Sequence, residues 1–270
     1  MTTRILVTGA GGVLGGAVVH ALLAAGARVR GLGRRPAPDG FPAEWREVDL
    51  LTGHGVASAF EDVKAVVHCA TNPQAPGEDM DVLGRLIDVA EQRRVHLVHV
   101  GIAGIEQATA SSEYYRTKAV CEARLSASRC PFTIVRATQL HPFVEMLIER
   151  LTLGPFLLTP EVALQPVDPD FVAAALAAAS LGAPQGRMPD LHGPETLRLK
   201  HLAASWLEVR HIRKHLVPVP AFGPLRAFSQ LREVRGRTGG RTWRAWLNAG
   251  REPEADGRPV AAIEGETPSA

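Results

Sequence analysis

The stretch Ile5-Leu6-Val7-Thr8-Gly9-Ala10-Gly11-Gly12-Val13-Leu14-Gly15 decides the expected fold of this chain. It places an apolar strand, a glycine-rich turn and the start of a helix in that order, which is the context that gives a glycine motif its meaning. Gly9 permits a tight turn, Gly12 a close approach of the backbone to a pyrophosphate, and Gly15 close packing of helix on strand. The stretch predicts a dinucleotide site at a helix N-terminus, with a purely structural glycine turn as the alternative.

Short β-type runs alternate with longer helical patterns through the first 140 residues. The runs at 4–8, 27–31, 65–68, 95–100 and 132–136 include several that are continuous in Val, Ile and Leu, as in strands covered on both faces. Helical patterns lie near residues 14–25, 80–92 and 113–128. This alternation predicts an α/β fold with a Rossmann-type, doubly wound parallel sheet and a small C-terminal substrate-binding region.

Domain organisation follows from the same patterns. We expect the Rossmann core over residues 1–140 and a substrate-binding region, interleaved with the core, over 141–249. Asp168-Pro169 is a typical N-cap followed by a first-turn proline, which opens an Ala-rich helix. From residue 250 onward Pro, Gly, Glu and Ala dominate, so residues 250–270 are expected to be a disordered tail.

Composition narrows the classes of protein to which the chain can belong. The 270 residues carry a net charge of +2 and are 46% hydrophobic, which is typical of a globular protein. Three cysteines without CxxC spacing argue against a disulfide framework and a zinc site, and ten scattered histidines predict no metal. With neither a signal peptide nor a spanning segment in the pattern, we expect a cytoplasmic protein that binds no membrane.

The end of the second β run sets the expected choice of cofactor. An Asp or Glu there would hold the ribose 2′-hydroxyl of NAD. This chain instead has Arg34 and Arg35, whose guanidinium groups are suited to clamp a 2′-phosphate. We therefore predict NADP(H) as the cofactor, with two solvated surface arginines as the alternative.

The Tyr-x-x-x-Lys spacing of Tyr114 and Lys118 places both residues on one face of a helix that follows the β run at 95–100. A nearby ammonium group favours the phenolate form of tyrosine, which suits proton exchange with a carbonyl or an alcohol.

Thr8-Gly9-x-x-Gly12-x-x-Gly15 resembles the short-chain dehydrogenase/reductases, in particular their extended and atypical branches, which include the NmrA-like proteins. The segments 98–105, 114–118 and 131–141 look like a bacterial atypical subgroup of NAD(P)H-binding reductases. Gly193-Pro194-Glu195 and Thr242-Trp243-x-x-Trp246-Leu247 add to this likeness, which covers roughly residues 3–248.

The resemblance implies roles for particular residues. Tyr114 would be the general acid/base, and Lys118 would tune it and hold the nicotinamide ribose. The implied cofactor-binding set is Thr8, Gly9, Gly12, Val13, Leu14, Gly15, Arg34, Arg35, Asp49, Leu50, Cys69, Ala70, Thr71, Gly101, Lys118, Arg136, Ala137 and Thr138. Substrate contacts are expected from Ser111, Gln139 and His141, although a histidine in a loop such as that before Pro142 is more often simply solvated.

One position departs from the family pattern. The serine that hydrogen-bonds the substrate oxygen in the family aligns with Gly101, and losing one such donor commonly costs on the order of 10²–10³ in rate. Three explanations stay open. Ser111 or Ser112 replaces it; His99, His141 or a backbone N–H binds the oxygen; or the chain binds NADP(H) without ordinary carbonyl reduction.

The sequence therefore predicts an NADPH-dependent oxidoreductase that reduces a carbonyl or a conjugated double bond of a small organic substrate. The alternatives are a non-catalytic, redox-sensing NmrA-like protein and an epimerase with a tightly held cofactor. We expect a monomer or homodimer and no nucleic-acid partner. The arginines at 226, 232, 235, 237, 241 and 244 are interpreted as a solvated face, although an acidic partner is the other interpretation.

Overall fold

The structure is a computed structural model, and it describes residues 3–110, 112–222, 225, 226, 228 and 236–250. The strands are β1 (Arg4–Thr8), β2 (Arg28–Gly33), β3 (Glu44–Glu47), β4 (Ala65–His68), β5 (His96–Ile102), β6 (Phe132–Ala137), β7 (Thr152–Leu153), β8 (Phe156–Pro160), β9 (Ala163–Leu164), β10 (Gly186–Arg187), β11 (Asp190–His192), β12 (Leu197–Arg198), β13 (His215–Val219) and β14 (Gly236–Thr238). The helices are α1 (Val13–Ala24), α2 (Val56–Ala59), α3 (Pro76–Arg93), α4 (Glu113–Ala127), α5 (His141–Arg150), α6 (Pro169–Leu181), α7 (Leu199–Arg210) and α8 (Trp243–Ala249). A 3-10 helix spans Ile105–Gln107.

The central sheet has the strand order β14-β11-β6-β5-β4-β1-β2-β3, with β10 also paired to β6. Each of these pairings is parallel. The order reverses between β1 and β4, which is where open α/β sheets bind their ligands. The predicted Rossmann-type α/β fold is confirmed.

The side chains of the strands are apolar because both faces of the sheet are covered. In β1, Ile5 and Val7 belong to the apolar cluster that includes residues of α1 and α6. Leu6 points the other way and belongs to the cluster built around α3. Each of these three side chains has no exposed surface, which explains why a period-two alternation of polar and apolar residues is missing.

The second half of the chain completes the sheet and covers it. Helix α6 packs on α1, while β10, β11 and β14 extend the sheet beyond β6. The N-terminus of α6 is capped as expected, because an Asp168 side-chain oxygen accepts the Asp170 N–H at 3.1 Å. Asp168 also binds Arg241 through both carboxylate oxygens, at 2.6 and 2.9 Å, which joins α6 to the segment before α8.

Some predicted boundaries shift. Strand β2 extends to Gly33 and β5 to Ile102, two residues beyond the predicted ends, because the ladders to β3 and β6 continue there. Helix α3 begins at Pro76 rather than near residue 80, because proline is well suited to a first helical turn. Of the tail predicted at 250–270, Gly250 is the C-cap of α8, and residues 251–270 lie outside the described residues.

Candidate active site

The glycine-rich turn is held by close backbone approaches. Gly9 has a φ of +65°, and a Cβ there would lie 2.9 Å from the Ala70 nitrogen, so a side chain at this position is excluded twice over. A Cβ at Gly15 would overlap the Gly9 carbonyl oxygen. Gly12 is the N-cap of α1 and offers no side chain to the first N–H groups of that helix. These groups remain available to an anion, which fits the pyrophosphate of a dinucleotide.

A cleft opens where β1 to β4 end, with a volume of about 660 Å³ that includes space open to solvent. The cleft brings together six residues of the cofactor set inferred from the sequence: Gly9, Arg34, Asp49, Leu50, Ala70 and Thr71. The other lining residues are Leu32, Gly33, Val48, Leu51, Asn72, Glu78, Asp79 and Val82.

The backbone after β2, next to this cleft, packs against Trp45, a residue that the sequence reasoning missed. A Cβ on Gly33 would overlap the Trp45 indole, whose Nε1 donates a hydrogen bond to the Arg35 carbonyl oxygen at 2.9 Å. Arg34 lines the cleft, whereas Arg35 is not among its lining residues, and both side chains are exposed. Of the predicted pair, only Arg34 therefore lines the cleft.

Tyr114 and Lys118 lie in the first half of α4. They are connected through Thr71, which follows β4, and Asp79 on α3. The Tyr114 hydroxyl lies 3.4 Å from Thr71 Oγ1, and Thr71 donates a hydrogen bond to Asp79 Oδ2 at 2.6 Å. The Lys118 ammonium lies 3.6 Å from the same Asp79 oxygen, with both side chains buried. Asp79 also accepts the Asn72 N–H at 2.9 Å. Tyr114, Thr71, Asp79 and Lys118 thus form one continuous chain of polar contacts.

Two histidines lie beneath this chain of contacts and stay uncharged. The rings of His68 and His99 stack with their centroids 5.5 Å apart, and His68 Nδ1 shares a hydrogen bond with Thr8 Oγ1 at 2.8 Å. Burial, reinforced by the charge of Lys118, lowers the pKa of His68 to about 3 and the pKa of His99 well below its usual value. The His99 side chain is 1% exposed, so the proposed role of His99 in binding a substrate oxygen is wrong.

Gly101 is closed off by a buried ion pair. A Cβ at this position would overlap Glu122 Oε1 and lie 2.9 Å from Arg136 Cγ. Arg136 donates to Glu122 from Nε at 2.7 Å and to Glu106 from a terminal nitrogen at 2.6 Å. The guanidinium of Arg136, expected near the cofactor, is therefore engaged by two carboxylates. A side chain at 101 would point at Glu122 on α4, which leaves no room there for the family hydroxyl.

The expected substrate residues have different surroundings from those inferred. His141 is fully buried, packed against Trp243 and Trp246, because it begins α5 instead of lying in a loop; the expectation of a solvated or substrate-facing His141 is wrong. Burial lowers its pKa to about 4. Gln139 Oε1 accepts the Gln165 N–H at 3.3 Å, and the Thr138 hydroxyl donates to the Gln165 carbonyl at 2.6 Å. Ser111 lies outside the described residues.

The remaining members of the cofactor set surround the turn and the sheet edge. Thr8 is buried and its Oγ1 accepts the Ala70 N–H at 3.3 Å. Val13 is exposed in the first turn of α1, and Leu14 packs against the core. Cys69 is half-buried after β4, and Ala137 is buried at the end of β6. They occupy the carboxyl edge of the sheet but are not cleft-lining residues.

Other features of the described residues bear on partners. No helix in this part of the chain is long and apolar enough to cross a membrane. Within the same residues, no group of three His, Cys, Asp or Glu side chains could hold a metal ion. In the basic cluster, Arg241 pairs with Asp168 and Asp170, and Arg244 with Glu208. Arg232 and Arg235 lie outside the described residues.

Comparison with solved structures places this fold among nucleotide-sugar epimerases and dehydratases. A nucleoside-diphosphate-sugar epimerase of Staphylococcus aureus superposes with a TM-score of 0.73 at 18% identity, over 91% of this chain and 100% of that one. A dTDP-glucose 4,6-dehydratase of Bacillus anthracis, in complex with NAD, gives 0.75 at 12% identity over 92% and 95%. A UDP-glucose 4-epimerase of Thermus thermophilus, also with NAD, gives 0.71 at 20% identity over 93% and 100%.

Sequence comparison finds a relative of higher identity than these structures and a matching family. The relative, sterol demethylase protein B of Methylococcus capsulatus, is 35% identical over 150 residues, which cover 45% of this chain and 45% of that protein. The match thus spans less than half of the relative's length. The model of an NAD(P)H-binding family matches residues 9–143, which hold the glycine turn, the cleft and the Tyr114–Lys118 pair. The chain belongs to this NAD(P)H-binding family.

Proposed function

We propose that this protein is an NADPH-dependent oxidoreductase that reduces a carbonyl or a conjugated double bond of a small organic substrate. The observation that carries this proposal is the position of the Tyr114 hydroxyl. It lies 3.4 Å from Thr71 Oγ1, and Thr71 lines the cleft that begins at the glycine turn. A proton donor therefore stands at the edge of the site that the dinucleotide fits.

In the proposed reaction, different residues of the chain bind the cofactor and transfer the proton. The bare turn at Gly9 and Gly12 holds the pyrophosphate, and the bound nicotinamide supplies hydride. Tyr114 gives its proton to the substrate oxygen or, where a conjugated double bond is reduced, to the carbon of that bond that does not receive the hydride. Lys118 is the one positive side chain within the chain of contacts described above, and it favours the phenolate that Tyr114 leaves behind.

The preference for NADPH rests on Arg34. Its exposed side chain lines the cleft after β2, and residues 33–38, which end this strand and follow it, include no Asp or Glu that could bind a ribose 2′-hydroxyl. Trp45 fixes the backbone of the next residue through its hydrogen bond to the Arg35 carbonyl, which limits the movement of this loop. A guanidinium in this cleft is suited to a charge-assisted hydrogen bond with a 2′-phosphate, which supports the proposed preference.

The test compares the wild type with Tyr114→Phe in two assays. We expect the substitution to lower NADPH-dependent turnover by roughly 10²–10⁴-fold, the usual contribution of a general acid. Its Kd for NADPH, measured by fluorescence, should stay within a factor of about three because the ring is kept. The substrate panel should hold aldehydes, cyclic and steroid ketones, enones and nucleotide sugars, since the relatives named above are described as acting on sterols or sugar nucleotides. Equal turnover by both proteins would refute the role of Tyr114.

The non-catalytic alternative is distinguished by the same panel. If NADPH binds tightly and no compound is turned over, a redox-sensing role becomes the better explanation. An epimerase would instead retain its cofactor through purification and show no net consumption of NADPH.

A further inference from the structure

The Thr71 hydroxyl lies between two groups that compete for its single proton. It donates to Asp79 Oδ2 at 2.6 Å, and its oxygen faces the Tyr114 hydroxyl at 3.4 Å. A threonine hydroxyl has one proton and two lone pairs, so it can donate to only one of these neighbours at a time. In the resting arrangement the Thr71 hydroxyl donates its hydrogen bond to Asp79. The Thr71 oxygen then accepts a hydrogen bond from the Tyr114 hydroxyl.

Thr71 comes from a different strand end than the serine of the family. Position 101 at the end of β5 cannot present a hydroxyl, because its Cβ would overlap Glu122 Oε1. Thr71 follows β4, lines the cleft, and has its hydroxyl oxygen 3.4 Å from the Tyr114 oxygen. It therefore stands beside the atom from which the proposed reaction takes its proton.

We propose that Thr71 stabilises the phenolate of Tyr114 by turning its hydroxyl from Asp79 to Tyr114 as the reaction proceeds, with Asp79 as the residue that positions it. The inference rests on the proposed function. In this step the Tyr114 O–H bond breaks and its proton goes to the substrate oxygen. The Thr71 O–H rotates without breaking and donates to the new phenolate. Asp79 then keeps the Asn72 N–H and the Lys118 ammonium as partners.

The charged groups of this set of contacts come from two helices, α3 and α4. Asp79 on α3 carries the negative charge, and Lys118 on α4 carries the positive one, 3.6 Å from the Asp79 oxygen. Tyr115 on α4 is buried, and burial raises its pKa so that it stays neutral. Beneath Lys118, His68 and His99 stay neutral as well. Within these contacts the charged side chains are therefore those of Asp79 and Lys118, and Thr71 links Asp79 to Tyr114.

The first test reads tyrosinate directly and needs no substrate. The chain has two tyrosines, so in a Tyr115→Phe background the ultraviolet absorbance of tyrosinate reports on Tyr114 alone. Thr71→Val keeps the shape and removes the hydroxyl. We expect it to move the titration midpoint of Tyr114 upward by about one pH unit, which corresponds to one hydrogen bond lost to the phenolate. Thr71→Ser, which keeps the hydroxyl and loses the methyl group, should restore most of the shift.

Asp79→Asn supplies a change of opposite sign. Removing the carboxylate leaves the Lys118 charge uncompensated near Tyr114, so tyrosinate should form at a lower pH than in the parent. An unchanged midpoint in Thr71→Val, or a shift in the same direction in both variants, overturns the proposal. These titrations do not depend on turnover, so a failure of the proposed reductase activity and a failure of the Thr71 role would be seen separately.

Turnover gives the second readout. With a substrate from the panel above, we expect Thr71→Val to lower kcat roughly tenfold, as for one lost hydrogen bond of about 1.4 kcal/mol. KM for NADPH should change little, and Thr71→Ser should recover most of kcat. A variant that raises KM for NADPH while kcat stays constant would show that Thr71 only binds the cofactor.

Discussion

Restoring the family serine with Gly101→Ser is expected to weaken the protein without improving turnover. The new Cβ would overlap Glu122 Oε1 and approach Arg136 Cγ to 2.9 Å, inside a buried ion pair. The Glu122 carboxylate has to move, and it is held by the Arg136 guanidinium at 2.6 Å. Overpacking of this kind costs about 1–3 kcal/mol, which lowers Tm by roughly 2–10 °C in a protein of this size.

The assay is thermal unfolding at neutral pH together with NADPH-dependent turnover. Gly101→Ala isolates the cost of the Cβ, because it adds no hydroxyl that could bind the unpartnered Glu122 Oε1. Gly77→Ser is the matched control, since a Cβ at that exposed position on α3 meets nothing within 4 Å. A Gly101→Ser protein that keeps its Tm and turns over faster than the wild type would refute the reasoning, because its hydroxyl would then reach the cleft.

Three further predictions concern charge. Arg34→Ala should weaken NADPH binding roughly 10- to 100-fold through the lost charged hydrogen bonds and leave NADH binding nearly unchanged, whereas Arg35→Ala should affect neither; titration with both cofactors checks this. Burial raises the pKa of Asp168, but hydrogen bonds from its arginine partner outweigh it and hold the pKa below 3.8, so the stabilisation is complete above pH 3.8 and is lost as the pH falls below that value. Asp168→Asn should therefore cost about 2 kcal/mol in urea unfolding at neutral pH and little in acid, and an equal cost at both would contradict the ion pair. Because His68 and His99 are buried neutral, the unfolded chain alone gains their protons below pH 6.5, and the free energy of unfolding should fall by about 1.4 kcal/mol per pH unit for each histidine; a flat profile below pH 6.5 would oppose this.

The fold was predictable because its signals are local. The apolar run Ile5–Val7, the glycine turn and the regular alternation of strands and helices depend on residues close together in sequence. The cleft residues Gly9 and Thr71 were also found, since each follows a recognisable strand, whereas Asp49 follows β3, which was not among the predicted β runs, and came from the family resemblance. The carboxyl ends of parallel strands meet at one edge, so such residues come together by topology alone.

The electrostatic details were not predictable, because they depend on contacts between distant residues. Asp79 shows no pattern beyond an acid near a helix start, yet it binds Thr71 and Lys118. The Trp45 hydrogen bond to Arg35 requires the pairing of β2 with β3 to be known. His141 was misjudged because a histidine before a proline suggested a loop, whereas it begins α5 under Trp243 and Trp246.

The packing of α6 on α1 has a consequence for the folding of this protein during its synthesis on the ribosome. Helix α1 ends at Ala24, and its cover begins at Pro169, about 145 residues later. At roughly 5–20 residues per second, the apolar side of α1 waits for the order of ten seconds before its partner has been made. During that interval the apolar side of α1 is exposed to solvent in the nascent chain. The dependence of this protein on chaperones should therefore be greatest during synthesis, and slowing translation between the two helices should lower the yield of folded chains.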